Sequence, residues 1–135
     1  MLAVFNDGRE EEGLLARKGL PELIPRKIHQ VWVGGTIPEF KQFLMQRLRD
    51  AHPDYEYFLW TEHNITRENF PESYDLLQTL LEFDKKSPYS KMAMVADIAR
   101  NEIVYRHGGF YFDTNYMLFK NNTLDLFLTC TSIRV

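Results

Sequence analysis

Between Ser90 and Asp113 the chain passes from a long helical pattern through two adjacent glycines into a run of aromatics that ends at an acid, SKMAMVADIARNEIVYRHGGFYFD. Met92, Ala93, Val95, Ala96, Ala99, Ile103 and Val104 form a continuous apolar face at helical spacing, and Ser90 stands where it can cap the first turn. Gly108-Gly109 supplies the left-handed backbone on which a helix ends, and Phe110-Tyr111-Phe112 reads as a strand. A helix that turns back at once into a buried strand belongs in a layered α/β arrangement.

The remainder of the chain agrees. Lys27 to Val33, KIHQVWV, is β-branched and aromatic and stops at Gly34-Gly35, as a strand entering a tight loop does. Pro38 suits a helix start, and Phe40, Phe43, Leu44, Leu48 and Ala51 recur at helical spacing until His52-Pro53. Tyr55 to Trp60 is a second short strand and Thr61 to Asn69 a polar loop. Residues 72–83 carry Tyr74, Leu76, Leu77, Leu80, Leu81 and Phe83 as a helical stripe closed by Ser87-Pro88. Strand, helix, strand, helix, helix, strand is the rhythm of a sheet with helical crossovers, and such sheets take ligands at the carboxyl ends of their strands. Gly34-Gly35 and Asp113 both fall there. Residues 1–24, with mixed charges and scattered leucines, read as an N-terminal extension, and 25–135 as one domain.

A chain of 135 residues with 44% apolar content sustains one core. With 16 basic and 19 acidic residues it has no broad positive field, which excludes nucleic acid as a partner. The single Cys130 cannot form an internal disulfide. No stretch approaches the ~20 apolar residues of a membrane span and the N-terminus lacks a signal-peptide pattern, so the chain reads as soluble and cytoplasmic.

Three elements carry chemistry. Asp113-Thr114-Asn115 follows an apolar strand, where two oxygen-bearing side chains two residues apart can reach one hard cation, Mg²⁺ or Mn²⁺, with substrate phosphates completing the shell. Taken alone, the tripeptide reads first as an ordinary turn. Asp97 and Arg100 are three apart on the long helix, a spacing that by itself means a surface ion pair. Their helix nevertheless feeds into the strand that bears Asp113. Third, Trp32 stands near a strand end beside Gly34-Gly35, where its ring can stack on a base while strand amides bond that base; a buried core Trp is the plainer alternative. His29 reads as a core histidine before it reads as a base or ligand.

Taken in order, IPRKIHQVW, HPDYEYFLW and ADIARNEIVYRHGGFYFDTN resemble the signature of the glycosyltransferases with a sugar-binding DXD motif, the group around yeast alpha-1,6-mannosyltransferases and the clostridial glucosylating toxins; the likeness runs from Ile24 to about Phe119. It implies a nucleotide-diphosphate-sugar transferase (GT-A) fold with a mixed, mostly parallel sheet and helices on both faces, and a sugar moved from a UDP- or GDP-sugar to a glycan, lipid or protein acceptor, with retention at the anomeric carbon. By the same resemblance Val31 and Trp32 hold the nucleobase, Asp97 and Arg100 grip donor-sugar hydroxyls, Asp113 serves ribose and metal, and Asn115 takes the place of the second acid, the direct metal ligand.

Two departures follow. Asn115 is neutral, so affinity for Mn²⁺ or Mg²⁺ is expected to fall. The sequence stops at Val135, soon after the motif, which suggests a domain incomplete at its C-terminus and leaves a degenerate, non-catalytic nucleotide-sugar-binding module or fragment as the alternative to an active enzyme. A haloacid-dehalogenase-like phosphatase also places an acid after an apolar strand, but it needs an acid at 115 and a Thr or Val at 117, where this chain has Asn115 and Met117.

Overall fold

The computed structural model describes residues 20–86, 90–117 and 120–129. Three strands, β1 (Lys27–Val31), β2 (Glu56–Trp60) and β3 (Phe110–Tyr111), alternate with α1 (Glu39–Ala51), α2 (Tyr74–Lys86) and α3 (Met92–His107) in the order read from the sequence. The sheet runs β2-β1-β3, and all three described strands are parallel. Their carboxyl ends therefore share one edge of the sheet.

Alternation along the strands sorts side chains into two cores. Ile28, Tyr57, Phe110 and Phe112 face α1, where they meet Leu48 together with Tyr55, Leu124 and Leu128. Val31, Phe58, Trp60 and Tyr111 face the other way, against Leu77 of α2 and Val95, Ala99 and Ile103 of α3. Phe112 and Leu77 are fully buried, each contributing about 2 kcal/mol through apolar area removed from water. Helices thus cover both faces.

Buried polar groups tie these layers together. The Glu102 carboxylate, on α3, accepts from the amides of Glu72 (2.7 Å) and Ser73 (3.1 Å) and from the Ser73 hydroxyl (3.0 Å), which fastens the segment leading into α2 to α3. On the α1 side the Leu124 amide donates to His52 Nε2 (3.3 Å) and the Asn122 amide to the Ala51 carbonyl (2.9 Å), which brings a short 3-10 turn, Thr123–Phe127, under the first core. Leu23 and Ile24, assigned above to the extension, both donate from their amides to the Leu128 carbonyl.

Several local expectations change. Phe40 and Phe43 are not part of the buried stripe of α1: they are 66% and 58% exposed, and Met45 joins Leu44, Leu48 and Ala51 inside. The buried arc of α1 is centred between Leu44 and Met45, near Leu48, and at ~100° per residue Phe43 falls on the opposite side of the helix and Phe40 on the flank. On α2, Leu76 and Phe83 likewise point outward. The loop 61–69 contains a 3-10 turn, Glu62–Asn64, held by Asn64 Oδ1 accepting from the Thr61 amide at 3.0 Å. The N-cap position of α3 is Lys91, with no side-chain cap bond of its own; Ser90, one residue earlier, accepts from the Met92 amide at 3.2 Å. Ser87-Pro88, Phe119 and Cys130 lie outside the described residues.

Candidate active site at the carboxyl edge of the sheet

The site is built where β1 and β3 end. After β3 the ladder continues for one bond, from the Phe112 amide to the His29 carbonyl (3.0 Å), and the chain then leaves the sheet at Asp113. The Asp113 carbonyl accepts from the Tyr116 amide (3.2 Å), closing the turn, and from Gln30 Nε2 (3.3 Å). Asp113 is half-buried and Asn115 exposed, so this turn presents its oxygens to the edge rather than to the core.

One strand away, Trp32 is half-buried and held twice: its amide donates to the Trp60 carbonyl (2.8 Å) and its indole Nε1 to the Gly35 carbonyl (3.0 Å). The second bond fixes the ring over the Gly34-Gly35 loop. Val31 is 5% exposed and its side chain belongs to the second core, so only its backbone is open to a role. Main-chain groups alternate sides along a strand. Since the His29 carbonyl serves β3 and the Trp32 amide serves β2, those of Val31 point to the β3 side, above the last ladder bond.

Asp97 and Arg100 come from the first half of α3, whose N-terminus lies at this same edge because Met92 packs on Gly34. They form an i,i+3 ion pair at 3.5 Å, with the Asp97 side chain 62% and the Arg100 side chain 36% exposed. Tyr111 connects them to the turn. Burial, above all, pushes its phenol well above the ordinary range; the Asp113 carboxylate, to which it also hydrogen-bonds, adds to this, while Arg100 opposes it and Asp97 contributes a further small push. The half-buried Tyr111 phenol thus lies in the field of Asp97, Arg100 and Asp113. Tyr111 was not singled out in the sequence, although the alternation of Phe110-Tyr111-Phe112 places its side chain toward α3. Gln30 was missed as well; the signal was an amide in the middle of an otherwise apolar strand.

His29 is a core residue. Trp60 Nε1 can only donate, so His29 Nδ1 accepts (3.2 Å) and Nε2 carries the proton to the Gly108 carbonyl (2.9 Å). Burial lowers its pKa to about 4, against some opposition from that carbonyl bond, with His107 and Lys27 lowering it further. It is buried, neutral and paired, with its ring turned toward Gly108 at the amino edge of the sheet.

The oxygen donors at Asp113 and Asn115 suit a hard cation, but they provide one charge and two ligands, so phosphate oxygens and water would have to complete a shell of six. Among the described residues no three His, Cys, Asp or Glu side chains gather as a metal site. An open cleft of about 440 Å³ lies elsewhere, between α1 and β2, lined by Gln46, Arg49, Asp50, His52, Tyr55 and Tyr57. Shape and chemistry thus point to different places; the carboxyl edge is the stronger candidate because charge, an aromatic ring and strand ends meet there.

The fold, a parallel sheet with crossover helices, matches the solved structure of "PaToxG Glycosyltransferase" with a TM-score of 0.59 at 19% identity, over 83% of this chain and 50% of that one. The sequence profile of the family "Glycosyltransferase sugar-binding region containing DXD motif" matches residues 38–128, and the chain belongs to that family. Its relatives include inositol phosphoceramide mannosyltransferase 3 of Schizosaccharomyces pombe, 38% identical over 102 residues, covering 76% of this chain and 26% of the relative. Mannosyl phosphorylinositol ceramide synthase SUR1 of Saccharomyces cerevisiae is 34% identical over 96 residues, covering 69% of this chain and 23% of the relative. The chain thus spans about a quarter of the length of these curated relatives. Among the described residues no helix is long and apolar enough to cross a membrane.

Proposed function

We propose that this chain is the donor-binding part of a metal-assisted glycosyltransferase that moves a hexose, mannose by analogy with its relatives, from a UDP- or GDP-sugar to the headgroup of an inositol-phosphoceramide-type lipid. The observation that carries this reading is the Asp113–Asn115 turn at the carboxyl edge of the sheet, with Trp32 and the main chain of Val31 one strand away and the helix that bears Asp97 and Arg100 starting beside Gly34. In this arrangement the base stacks on Trp32 and bonds the backbone at Val31, the Asp97 and Arg100 side chains hold sugar hydroxyls, and the Asp113 carboxylate faces the ribose. Asp113 and Asn115 would hold Mn²⁺ or Mg²⁺, which neutralises charge growing on the diphosphate as the bond from the anomeric carbon breaks. The acceptor hydroxyl oxygen forms the new bond to that carbon and gives up its proton. Retention of configuration belongs to this proposal.

Calorimetric titration of GDP- and UDP-sugars with and without Mn²⁺ tests it. Binding strengthened by Mn²⁺ and lost in Asp113→Ala is expected; a folded Asp113→Ala that binds as before removes the turn from the site. Trp32→Ala should weaken nucleotide binding by about 1–3 kcal/mol if the ring stacks on the base. A second reading, a binding module without turnover, is favoured by the neutral Asn115. Asn115→Asp separates the two: an enzyme limited by its metal gains Mn²⁺-dependent donor hydrolysis, and a module does not.

A further inference from the structure

The geometry points to Gln30 as a positioning residue that sets the Asp113–Asn115 turn through the carbonyl of Asp113. Gln30 is 1% exposed at the centre of β1, the middle strand of the sheet, on the face where Ile28, Phe110 and Phe112 make an apolar layer. An amide buried in such a layer is costly unless both its ends are paired. Both are: Nε2 donates to the Asp113 carbonyl at 3.3 Å, and Oε1 accepts from the Tyr57 hydroxyl at 2.7 Å. The Tyr57 phenol has its pKa pushed up to about 12, chiefly by burial, so it remains a donor. Its ring lies beneath the Arg49 guanidinium, 4.8 Å from the centroid.

The connection crosses all three strands, from Tyr57 on β2 through Gln30 on β1 to the residue that follows β3. It reaches the turn at the point where the ladder has ended: after the bond from Phe112 to His29, the Asp113 carbonyl is held by Gln30 and by the Tyr116 amide. The Tyr116 bond is internal to the turn and shapes it without fixing it relative to the sheet. The bond to Gln30 ties the turn to β1, the strand that leads to Val31 and Trp32. Two parts of the candidate site that are 81 residues apart in sequence, Trp32 and Asp113, are thereby held in one register. A hydrocarbon side chain at position 30 would fill the layer equally well; the paired amide is what a positioning role requires.

This inference rests on the reading of Asp113 as a donor and metal residue, and the test separates the two. In the full chain, GDP and UDP are titrated calorimetrically with Mn²⁺, with thermal unfolding in parallel. Gln30→Leu removes both bonds and should lower Mn²⁺-supported nucleotide affinity by about ten-fold, the scale seen when outer-shell partners of a metal ligand are lost. Gln30→Glu keeps the acceptor for Tyr57 but can donate to Asp113 only when protonated. Its affinity relative to the parent should therefore rise as pH is lowered from about 7.5 to 5.5. Tyr57→Phe leaves the bond to Asp113 in place and should cost about two- to three-fold; it also serves if Gln30→Leu does not fold. Parent-like affinity in folded Gln30→Leu or Gln30→Glu, or a loss in Gln30→Glu that does not respond to pH, overturns the positioning role. If Asp113→Ala keeps full Mn²⁺-supported binding, the donor-site reading falls and this inference with it; if Asp113→Ala loses binding while the Gln30 variants keep it, only the positioning role falls.

Discussion

Two glycine pairs mark the two edges of the sheet, and they are alike in everything except what surrounds them. Gly34, Gly35, Gly108 and Gly109 all have positive φ, at 101°, 97°, 67° and 88°. A Cβ on Gly109 would stand 2.6 Å from the Lys27 carbonyl oxygen and one on Gly108 2.9 Å from Pro25; at the other edge a Cβ on Gly34 would stand 3.2 Å from the flexible Met92 side chain and one on Gly35 would meet nothing within 4 Å. The same residue type thus does two jobs. At the amino edge glycine lets the end of α3 close against the start of β1; at the carboxyl edge it lets the chain turn sharply and leaves space. The closed edge holds the fold and the open edge holds the candidate chemistry.

The largest effect should come from breaking the closed edge. Gly109→Ala combines a disfavoured backbone with a backbone clash, and a loss of about 4 kcal/mol in urea unfolding is expected; a loss under about 1 kcal/mol would show that the contact with Lys27 is loose. Acid should work on the same edge through His29. Its folded pKa of about 4 lies below its ordinary 6.5, so the unfolded chain binds more protons between those values. Stability from this group is complete above about pH 6.5 and falls as pH drops, by about 2 kcal/mol at pH 5 and about 3 kcal/mol near pH 4. Unfolding measured at about pH 7 and pH 5 checks this; an unchanged midpoint would mean that His29 is not held neutral between Trp60 and Gly108. At the open edge Gly35→Ala meets only the backbone cost, about 1 kcal/mol, and a change as large as that for Gly109→Ala would erase the contrast. Smallest of all, Asp97→Ala should alter stability by less than about 0.5 kcal/mol, since its partner Arg100 is reached at 3.5 Å on a largely exposed surface; its effect is expected instead in donor binding.

The architecture was legible because its signals are local. Helix spacing, the glycine pairs and the apolar strands each declare themselves within a dozen residues, and the convergence of α3 and β3 on one edge follows from their connection through Gly108-Gly109. What could not be read depends on contacts distant in sequence. Phe40 and Phe43 stay outside because a 13-residue helix with apolar residues around much of its girth leaves open which arc is buried, and the sheet selects the one centred on Leu48, with Met45 rather than the two phenylalanines. Glu102 looks like a surface acid until the segment leading into α2, with the amides of Glu72 and Ser73, is placed against it. Gln30 and Tyr111 were invisible as site residues for the same reason: their partners are 83 and 11 residues away for Gln30 with Asp113 and Tyr111 with Arg100. The acid and base on α3 had two readings, ion pair and ligand grip, and the structure contains the first while leaving the Asp97 carboxylate largely exposed.

The double bond to the Leu128 carbonyl has a practical consequence. Leu23 and Ile24, ahead of β1, are sewn to a carbonyl more than a hundred residues downstream, and Leu124 and Leu128 form the floor on which Ile28 and Phe112 rest. A protein preparation cut anywhere between Asn122 and Leu128 would keep Asp97, Arg100, Asp113 and Asn115 and still lose one wall of the hydrophobic interior, leaving Ile28 and Phe112 open to water and the fragment prone to aggregate.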